Sequence, residues 1–212
     1  MERCVLRNNV MSANNGCADV SETGYCTNVN CLIEFNCYAS STYGSIIMRK
    51  ELFNCTIIGN DSVGSNYGRT IDTCKLWNCV LSGNRIGGTL RDIRTAKINN
   101  VGSFSMWLTN CVFATSDIPA GEIGADGTVT HDGFGNCRQV SAANIKFEDA
   151  ANGNYTPKTK SPLYNAGLAT SWIIDIVGGE DLSGNARVFD RGIDIGAYEC
   201  QLKKPGIMVI VL

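Results

Sequence analysis

The sequence predicts an all-β solenoid, a chain wound into stacked coils of short strands, and three observations predict it. One phrase recurs five times: a cysteine, apolar neighbours and, five positions on, a small polar residue. The copies begin at Cys4, Cys31, Cys55, Cys79 and Cys111 and close at Asn9, Asn36, Asn60, Asn84 and Ser116, at intervals of 27, 24, 24 and 32 residues. A repeat this short, carrying only strand and turn, is the mark of a solenoid. Phe53, Cys55 and Ile57 alternate with Asn54 and Thr56, and Trp77, Cys79 and Leu81 do the same around Asn78; a period of two means a strand with one face buried. No stretch holds a helical period, and Gly, Ser, Thr and Asn recur throughout.

The clearest units, 43–60 and 67–84, match at Tyr43/Tyr67, Gly44/Gly68, Ile47/Ile71, Leu52/Leu76, Phe53/Trp77, Asn54/Asn78, Cys55/Cys79 and Gly59/Gly83. Such a unit holds two or three strands of about five residues with their turns. It is too short for a propeller blade of about 40 residues and lacks the helix of a leucine-rich repeat. The Gly-Asn pairs at 59–60 and 83–84 read as turns, because both residues tolerate positive φ. A coil returning to its start one strand higher, roughly 4.8 Å, stacks equivalent residues in columns. Cys4, Cys31, Cys55, Cys79 and Cys111 are predicted to form an inward column. Asn9, Asn36, Asn60 and Asn84 form a corner column, whose amides donate and accept along it. The long interval before Cys111 predicts an excursion at about 85–95. Coils are expected over 1–140, followed over 141–212 by an irregular C-terminal cap and final coil segment, with 207–212 as a last strand, all in one continuous domain.

The eleven cysteines are read mainly as thiols. Stacked neighbours keep their Cβ atoms about as far apart as the strands, roughly 4.8 Å, beyond the usual ~3.5–4.5 Å of a disulfide. Cys17, Cys26, Cys37, Cys74, Cys137 and Cys200 fall off the predicted column, and a disulfide among them stays open. There is no Cys-x-x-Cys pair and His131 is the only histidine, so no zinc site is expected. The net charge of −2, with acids and bases interspersed, argues against nucleic acid as a partner. The apolar tract 207–212 is too short to span a bilayer. Met1-Glu2-Arg3 runs directly into the first repeat. The chain is therefore expected to be the C-terminal piece of a longer polypeptide, or to need a capping partner on its first coil, since an exposed first rung is an edge that invites pairing.

Candidate chemistry is sparse. Glu34, Glu51, Asp72 and Asp92 lie near strands, with Arg69, Arg91 and Arg94 in the vicinity. By the repeat, position 72 matches Met48 and position 51 matches Lys75, so the acids do not stack, and they read as solvated faces. An active site, if present, is expected at Asp72, Arg91, Asp92 and Arg94. His131-Asp132 lies in a glycine-rich stretch, 121–135, that reads as a long polar loop off the solenoid. Trp107, Trp172, Tyr164 and Tyr198 could line a sugar face, but their apolar neighbourhoods favour packing. Arg187, Asp194 and Glu199 are read as residues that hold the cap, through Arg–carboxylate pairing. Ca²⁺ is the one cofactor weighed, at Asp181, Asp190 or Asp194, although their spacing matches no EF-hand.

Phrases such as Asn54-Cys55-Thr56-Ile57-Ile58-Gly59-Asn60 and Asn78-Cys79-Val80-Leu81-Ser82-Gly83-Asn84 resemble the repeats of right-handed parallel β-helix proteins of the pectin-lyase-like fold. The tail runs from Phe147-Glu148-Asp149-Ala150 and Gly153-Asn154-Tyr155 to Ser161-Pro162-Leu163-Tyr164-Asn165-Ala166-Gly167. It continues with Asp181-Leu182-Ser183-Gly184-Asn185-Ala186-Arg187 and Asp194-Ile195-Gly196-Ala197-Tyr198-Glu199. That order is similar to the choice-of-anchor Q segment that ends large secreted bacterial β-helix proteins. The resemblance implies a right-handed parallel β-helix and a secreted or cell-surface location. With no stacked outward carboxylates in the sequence, the expected role is non-enzymatic, in adhesion or in binding a polysaccharide or cell-surface glycan. Its alternatives are a polysaccharide lyase or glycoside hydrolase, which on this fold works with clustered carboxylates on an outer sheet face, and a phage fibre-like β-helix, which trimerises. The fold hosts enzymes and non-enzymes alike, so chemistry must be argued from the residues.

Overall fold

The structure, a computed structural model, describes residues 1–11, 17–20, 26–39, 45–63, 69–94 and 106–203. The matched pairs Tyr43/Tyr67 and Gly44/Gly68 and the expected strand at 207–212 lie outside them. One coil reads Ser45–Met48, Lys50–Phe53, Thr56–Ile58 and Asp61–Ser62. These are four shorter strands where two or three longer ones were expected. The reason is backbone conformation. Arg49, Asn54 and Gly59 have φ of 55°, 48° and 63°, a left-handed conformation that bends an extended chain. The alternation of Phe53, Cys55 and Ile57 therefore spans a corner and not a single strand.

Successive coils stack in parallel into four walls, numbered in coil order. Wall one holds Cys17–Val20, Ser45–Met48 and Arg69–Asp72. Wall two holds Cys26–Val29, Lys50–Phe53, Lys75–Trp77, Trp107–Thr109 and Phe134–Gly135. Wall three is the longest: Val5–Arg7, Leu32–Glu34, Thr56–Ile58, Val80–Ser82, Val112–Phe113 and Arg138–Gln139. Wall four holds Val10–Met11, Cys37–Tyr38, Asp61–Ser62 and Arg85–Ile86. Inside run apolar columns, among them Leu52, Leu76 and Leu108 from wall two and Ile33, Ile57, Leu81 and Phe113 from wall three, all buried.

The cysteine column stands at the corner before wall three, with Cys31, Cys55, Cys79 and Cys111 buried and Cys4 half-buried at the open first coil. Cys137 belongs to it too, contrary to the expectation, because Val112 pairs with Arg138 in register. Its copy hid in the sequence because Arg138-Gln139 replaces the usual apolar pair. The column's thiols donate to carbonyls two residues back, as Cys31 does to Val29 (3.2 Å) and Cys79 to Trp77 (3.3 Å). Burial pushes the Cys79 thiol up, so it stays protonated. The cysteines with described side chains are all free thiols, Cys26, Cys37, Cys74 and Cys200 included.

The predicted excursion begins on time. Arg85–Ile86 turns through Gly87 and Gly88 (φ 57° and 76°) into antiparallel Thr89–Leu90, a two-residue hairpin that needs positive φ at both turn positions. Residues 95–105 lie outside the described set. The ends of the solenoid differ. At the first coil Cys4, Leu6 and Met11 are only half-buried. The last coil is closed by the stretch read as a projecting polar loop. Ile118, Ile123 and Val129 pack onto the lumen core, and Thr128 bridges Arg138 on the last rung. Ile123 and Val129 lie among the glycines and Ile118 just before them, and together they hold the segment inward.

The C-terminal segment is the second correction, for it covers a flank of the solenoid and not its end. It contains the pair Phe147–Asp149 and Asn154–Pro157, a short helix α1 (Ala142–Ile145) and α2 (Ser171–Val177). Leu32, Ile58, Val80 and Val112 project from the outer face of wall three, and all are buried under this segment. A sheet with apolar residues on both faces requires cover on both. Among the described residues no helix is long and apolar enough to cross a membrane. Denaturing the protein without reductant should expose reactive thiols at Cys31, Cys55, Cys79, Cys111 and Cys137, all unreactive in the native state; a thiol count that falls short would overturn the free-thiol column.

Candidate functional site

Two asparagine columns flank wall three, and they hydrogen-bond in opposite directions. At the far corner the backbone N and Nδ2 of each residue donate to the Oδ1 of the next, from Asn9 to Asn36 (3.1 and 2.8 Å), from Asn36 to Asn60 (3.0 and 3.0 Å) and from Asn60 to Asn84 (3.0 and 3.0 Å). Asn84 then donates in the same way to Asp92 Oδ1 (2.9 and 2.8 Å). Asp92 Oδ2 accepts from the Ala114 and Thr115 amides and the Thr115 hydroxyl, at 3.1, 2.9 and 3.0 Å. A column that donates forward ends on an acceptor, and here the Asp92 carboxylate takes both of the last bonds. Burial pushes the Asp92 carboxyl up, and these donors pull it back. Ser116, the residue expected to close the fifth copy, bonds Gln139 instead.

The near corner carries Asn30, Asn54, Asn78, Asn110 and Asn136, all left-handed. Here Asn110 Nδ2 donates to Asn78 Oδ1 (2.8 Å) and Asn78 Nδ2 to Asn54 Oδ1 (3.1 Å). The same amides reach the C-terminal segment: Asn30 to Val177 O, Asn54 to Asp194 O, Asn78 to Leu168 O and Asn110 to Ala166 O, at 2.8 to 3.0 Å. In the sequence an asparagine precedes Cys31, Cys55, Cys79 and Cys111, with Arg3 in that place before Cys4; the docking of the tail on these residues is not visible there.

Arg187, Asp194 and Glu199 meet as expected, fully buried, together with Asp181. Arg187 donates to Glu199 Oε2 (3.0 Å), to the Gly196 and Ala197 carbonyls (3.2 Å each) and to Asn30 Oδ1 (2.6 Å). Asp194 accepts from the Asn165 and Cys200 amides (2.6 and 2.7 Å), and Asp181 from the Ser183, Asn185 and Glu199 amides (2.9, 2.8 and 2.7 Å). Burial and the neighbouring Asp194 charge push Glu199 up to about 9 against the pull of Arg187. The oxygens weighed for calcium at Asp181 and Asp194 thus face N–H groups, while exposed Asp190 lies within reach of the Tyr164 hydroxyl (3.4 Å). Gly196 lets the segment sit close: a Cβ there would lie 2.9 Å from Thr56 Oγ1, and its φ is +104°.

The residues proposed for an active site are not brought together. Asp72 pairs with Arg69 on wall one (2.8 Å), Asp92 ends the buried column, and Arg91 faces Asp117 (3.6 Å). Arg94 is half-buried beside Ile93, one turn of chain beyond Asp92. Glu34 is buried on wall three, bonded to Arg7 and to the Tyr155 hydroxyl (2.8 Å), and Glu51 pairs with Lys75 across coils (3.1 Å). His131 pairs with Glu122 in the terminal cover, and the Asp132 carboxylate accepts from the Gly133 amide (3.1 Å).

The outer face of wall two is only partly covered, α2 lying over Val29 and Phe53. Leu52, Leu76 and Leu108 point inward, so their neighbours point out. Glu51, Lys75 and Trp107 form one column and Phe53, Trp77 and Thr109 the next. Phe53 and Trp77 stack at 4.6 Å, and Trp172 of α2 meets both edge-on at 6.0 and 5.9 Å. Tyr164 is buried and Tyr198 half-buried, as packing residues are. Trp107 and Trp172 are more open, at 48% and 44% exposed, although Trp172 also packs against Phe53 and Trp77. Comparison of the sequence with family models and with curated proteins gives no match.

Asp92→Asn should lower stability by about 1–3 kcal/mol, because its amide must aim an N–H at other donors; an unchanged urea midpoint would remove the column-ending role. Arg187→Met should cost about 3–5 kcal/mol, since it leaves buried carboxylates unpaired. Limited proteolysis of that variant should cut 141–203 before the coils, and equal cutting throughout would show that Arg187 does not hold the tail.

Proposed function

We propose that this chain is a non-catalytic glycan-binding module, a secreted or cell-surface adhesion element whose binding face is the outer side of wall two. The observation that carries this reading is a pair of half-exposed tryptophans, Trp107 on wall two in the column of the Glu51–Lys75 ion pair, and Trp172 on α2, edge-on to Phe53 and Trp77. Aromatic faces with polar neighbours suit the apolar faces and hydroxyl edges of sugar rings. The dispersal of the acidic residues supports binding over turnover, since catalysis needs acid, base or metal ligands held at fixed separation. We further propose that the coils wind in the right-handed sense of the pectin-lyase-like fold. The tail is then a segment of the choice-of-anchor Q type, a reading supported by the fact that Arg187, Asp194 and Gly196 of its signature contact Asn30, Asn54 and Asn78 on the coils, while Glu199 holds Arg187.

Tryptophan fluorescence titrated with a panel of neutral oligosaccharides should shift for at least one of them. Trp107→Ala should weaken that binding about tenfold or more, the size of one lost stacking contact, with the melting temperature unchanged. Binding indifferent to both Trp107 and Trp172 would overturn the proposed face. Release of new reducing or unsaturated ends from a polysaccharide would overturn the non-catalytic reading, and a trimer in solution would favour the fibre alternative.

A further inference from the structure

A cavity of about 490 Å³ opens where the terminal cover, the last rung and the start of the flank segment meet. Its lining includes Arg138, Lys146 and Lys160, with the neutral polar residues Gln139, Ser141 and Asn144 between them. The chain as a whole is acidic, with a net charge of −2, so this clustering of cations runs against the general balance. Asp126, the one acid in the lining, does not offset it fully. Its oxygens accept from the Thr128 amide and hydroxyl (3.0 and 2.8 Å), and these bonds hold its carboxyl below the ordinary range.

The walls of the cavity are tied together. Gln139 N donates to Gly127 O (2.7 Å) and Arg138 Nη2 to Asp126 O (2.8 Å). Gly127 is required at that contact: its φ is +85°, and a Cβ would lie 2.3 Å from Gln139 O. On the other side Lys158 N donates to Lys146 O (3.0 Å) and the Ser161 hydroxyl to Ile145 O. Lys146 itself has φ 57°, a conformation that L residues other than glycine and asparagine adopt only when their surroundings enforce it. Arg138, Lys146 and Lys160 line this one cleft as exposed side chains; like charges sharing a cleft repel, and an anion between them relieves that repulsion. The tied backbone around them limits the ordering cost at binding to that of the side chains.

We propose that this cleft is a second binding site, for an acidic saccharide bearing carboxylate or sulfate groups. Its volume falls within the ~300–1,000 Å³ common for small-ligand sites. Gln139, Ser141 and Asn144 supply donors and acceptors for hydroxyls, and no aromatic side chain is in the lining to stack a nucleic-acid base. The site lies on elements separate from Trp107 and Trp172, so it stands or falls apart from the neutral-glycan face.

Calorimetric titration at low salt, with an oligouronate, a sulfated oligosaccharide, inorganic sulfate and a single-stranded oligonucleotide as probes, tests it. At least one acidic saccharide should bind, with affinity falling as salt rises. The combined variant Arg138→Gln, Lys146→Gln and Lys160→Gln should weaken it at least tenfold, with an unchanged melting temperature, whereas Trp107→Ala should leave it unchanged. If carboxylated and sulfated saccharides differ, the tighter one names the source of the anion; binding of sulfate alongside them supports the same anion site. No saccharide binding, binding untouched by the triple change, or tighter binding of the oligonucleotide would each overturn the proposal.

Discussion

Between walls two and three every described coil turns at a residue held in the left-handed conformation, and the rest of the structure depends on how that corner is filled. Asparagine occupies it at 30, 54, 78, 110 and 136, with φ between 51° and 53° at all but Asn54, where it is 48°. A β-branched or large side chain in that conformation is strained, whereas glycine would turn as easily but bring no amide. The amide does two further things. Its Nδ2 stitches coil to coil, and it also presents donors to the outside, where the carbonyls of the C-terminal segment accept them. One residue type thus sets the bend, the stacking and the place where the tail lies down.

The tail's charges follow from that position. Arg187 reaches through the segment to Asn30 on the coils, while Glu199 and the Gly196 and Ala197 carbonyls hold its other contacts. A buried arginine among buried carboxylates gains little net stability over an apolar packing of similar volume, because desolvation offsets much of the attraction. What it does give is direction: the terminal nitrogens of Arg187 bond Glu199, the Gly196 and Ala197 carbonyls and Asn30 at once, although its Nε has no partner. The apolar contacts supply the area, with Leu32, Ile58, Val80 and Val112 beneath and Tyr155, Leu163, Ile173 and Ile195 above. The charges supply the register.

Much of this was legible in the sequence, and the failures share a cause. The cysteine and asparagine columns could be read because stacking copies the same residue at a fixed interval, which a linear text preserves. Corners could not, since Phe53, Asn54 and Cys55 alternate as a strand would, and only the φ of Asn54 shows the bend. Cys137 was missed because its copy keeps the corner and loses the apolar pair. Asp92 was read as a surface acid because it joins its column from outside the repeat, after the hairpin at 85–90. The stretch 121–135 was read as a loop because glycine content outweighed Ile123 and Val129, which close the lumen. Where a role is set by contacts between segments far apart in the chain, no local pattern announces it.

The flank cover has a consequence for where binding can occur. Wall three is the longest sheet, and in an uncovered solenoid it would offer the broadest outer face. Here that face is sealed by the tail, and its one carboxylate at Glu34 lies beneath Tyr155. The cover also reaches around the corner, because α2 lays Ile173 and Val177 against Val29 and Phe53 and leaves Trp172 standing edge-on to Trp77. The same segment that closes wall three therefore shapes the open part of wall two. Its first residues, Ser141 to Lys146, form one side of the basic cleft at the opposite end of its path. Trp172 of the one proposed binding surface and Lys146 and Lys160 of the other belong to the tail, so releasing the tail from the coils would alter both.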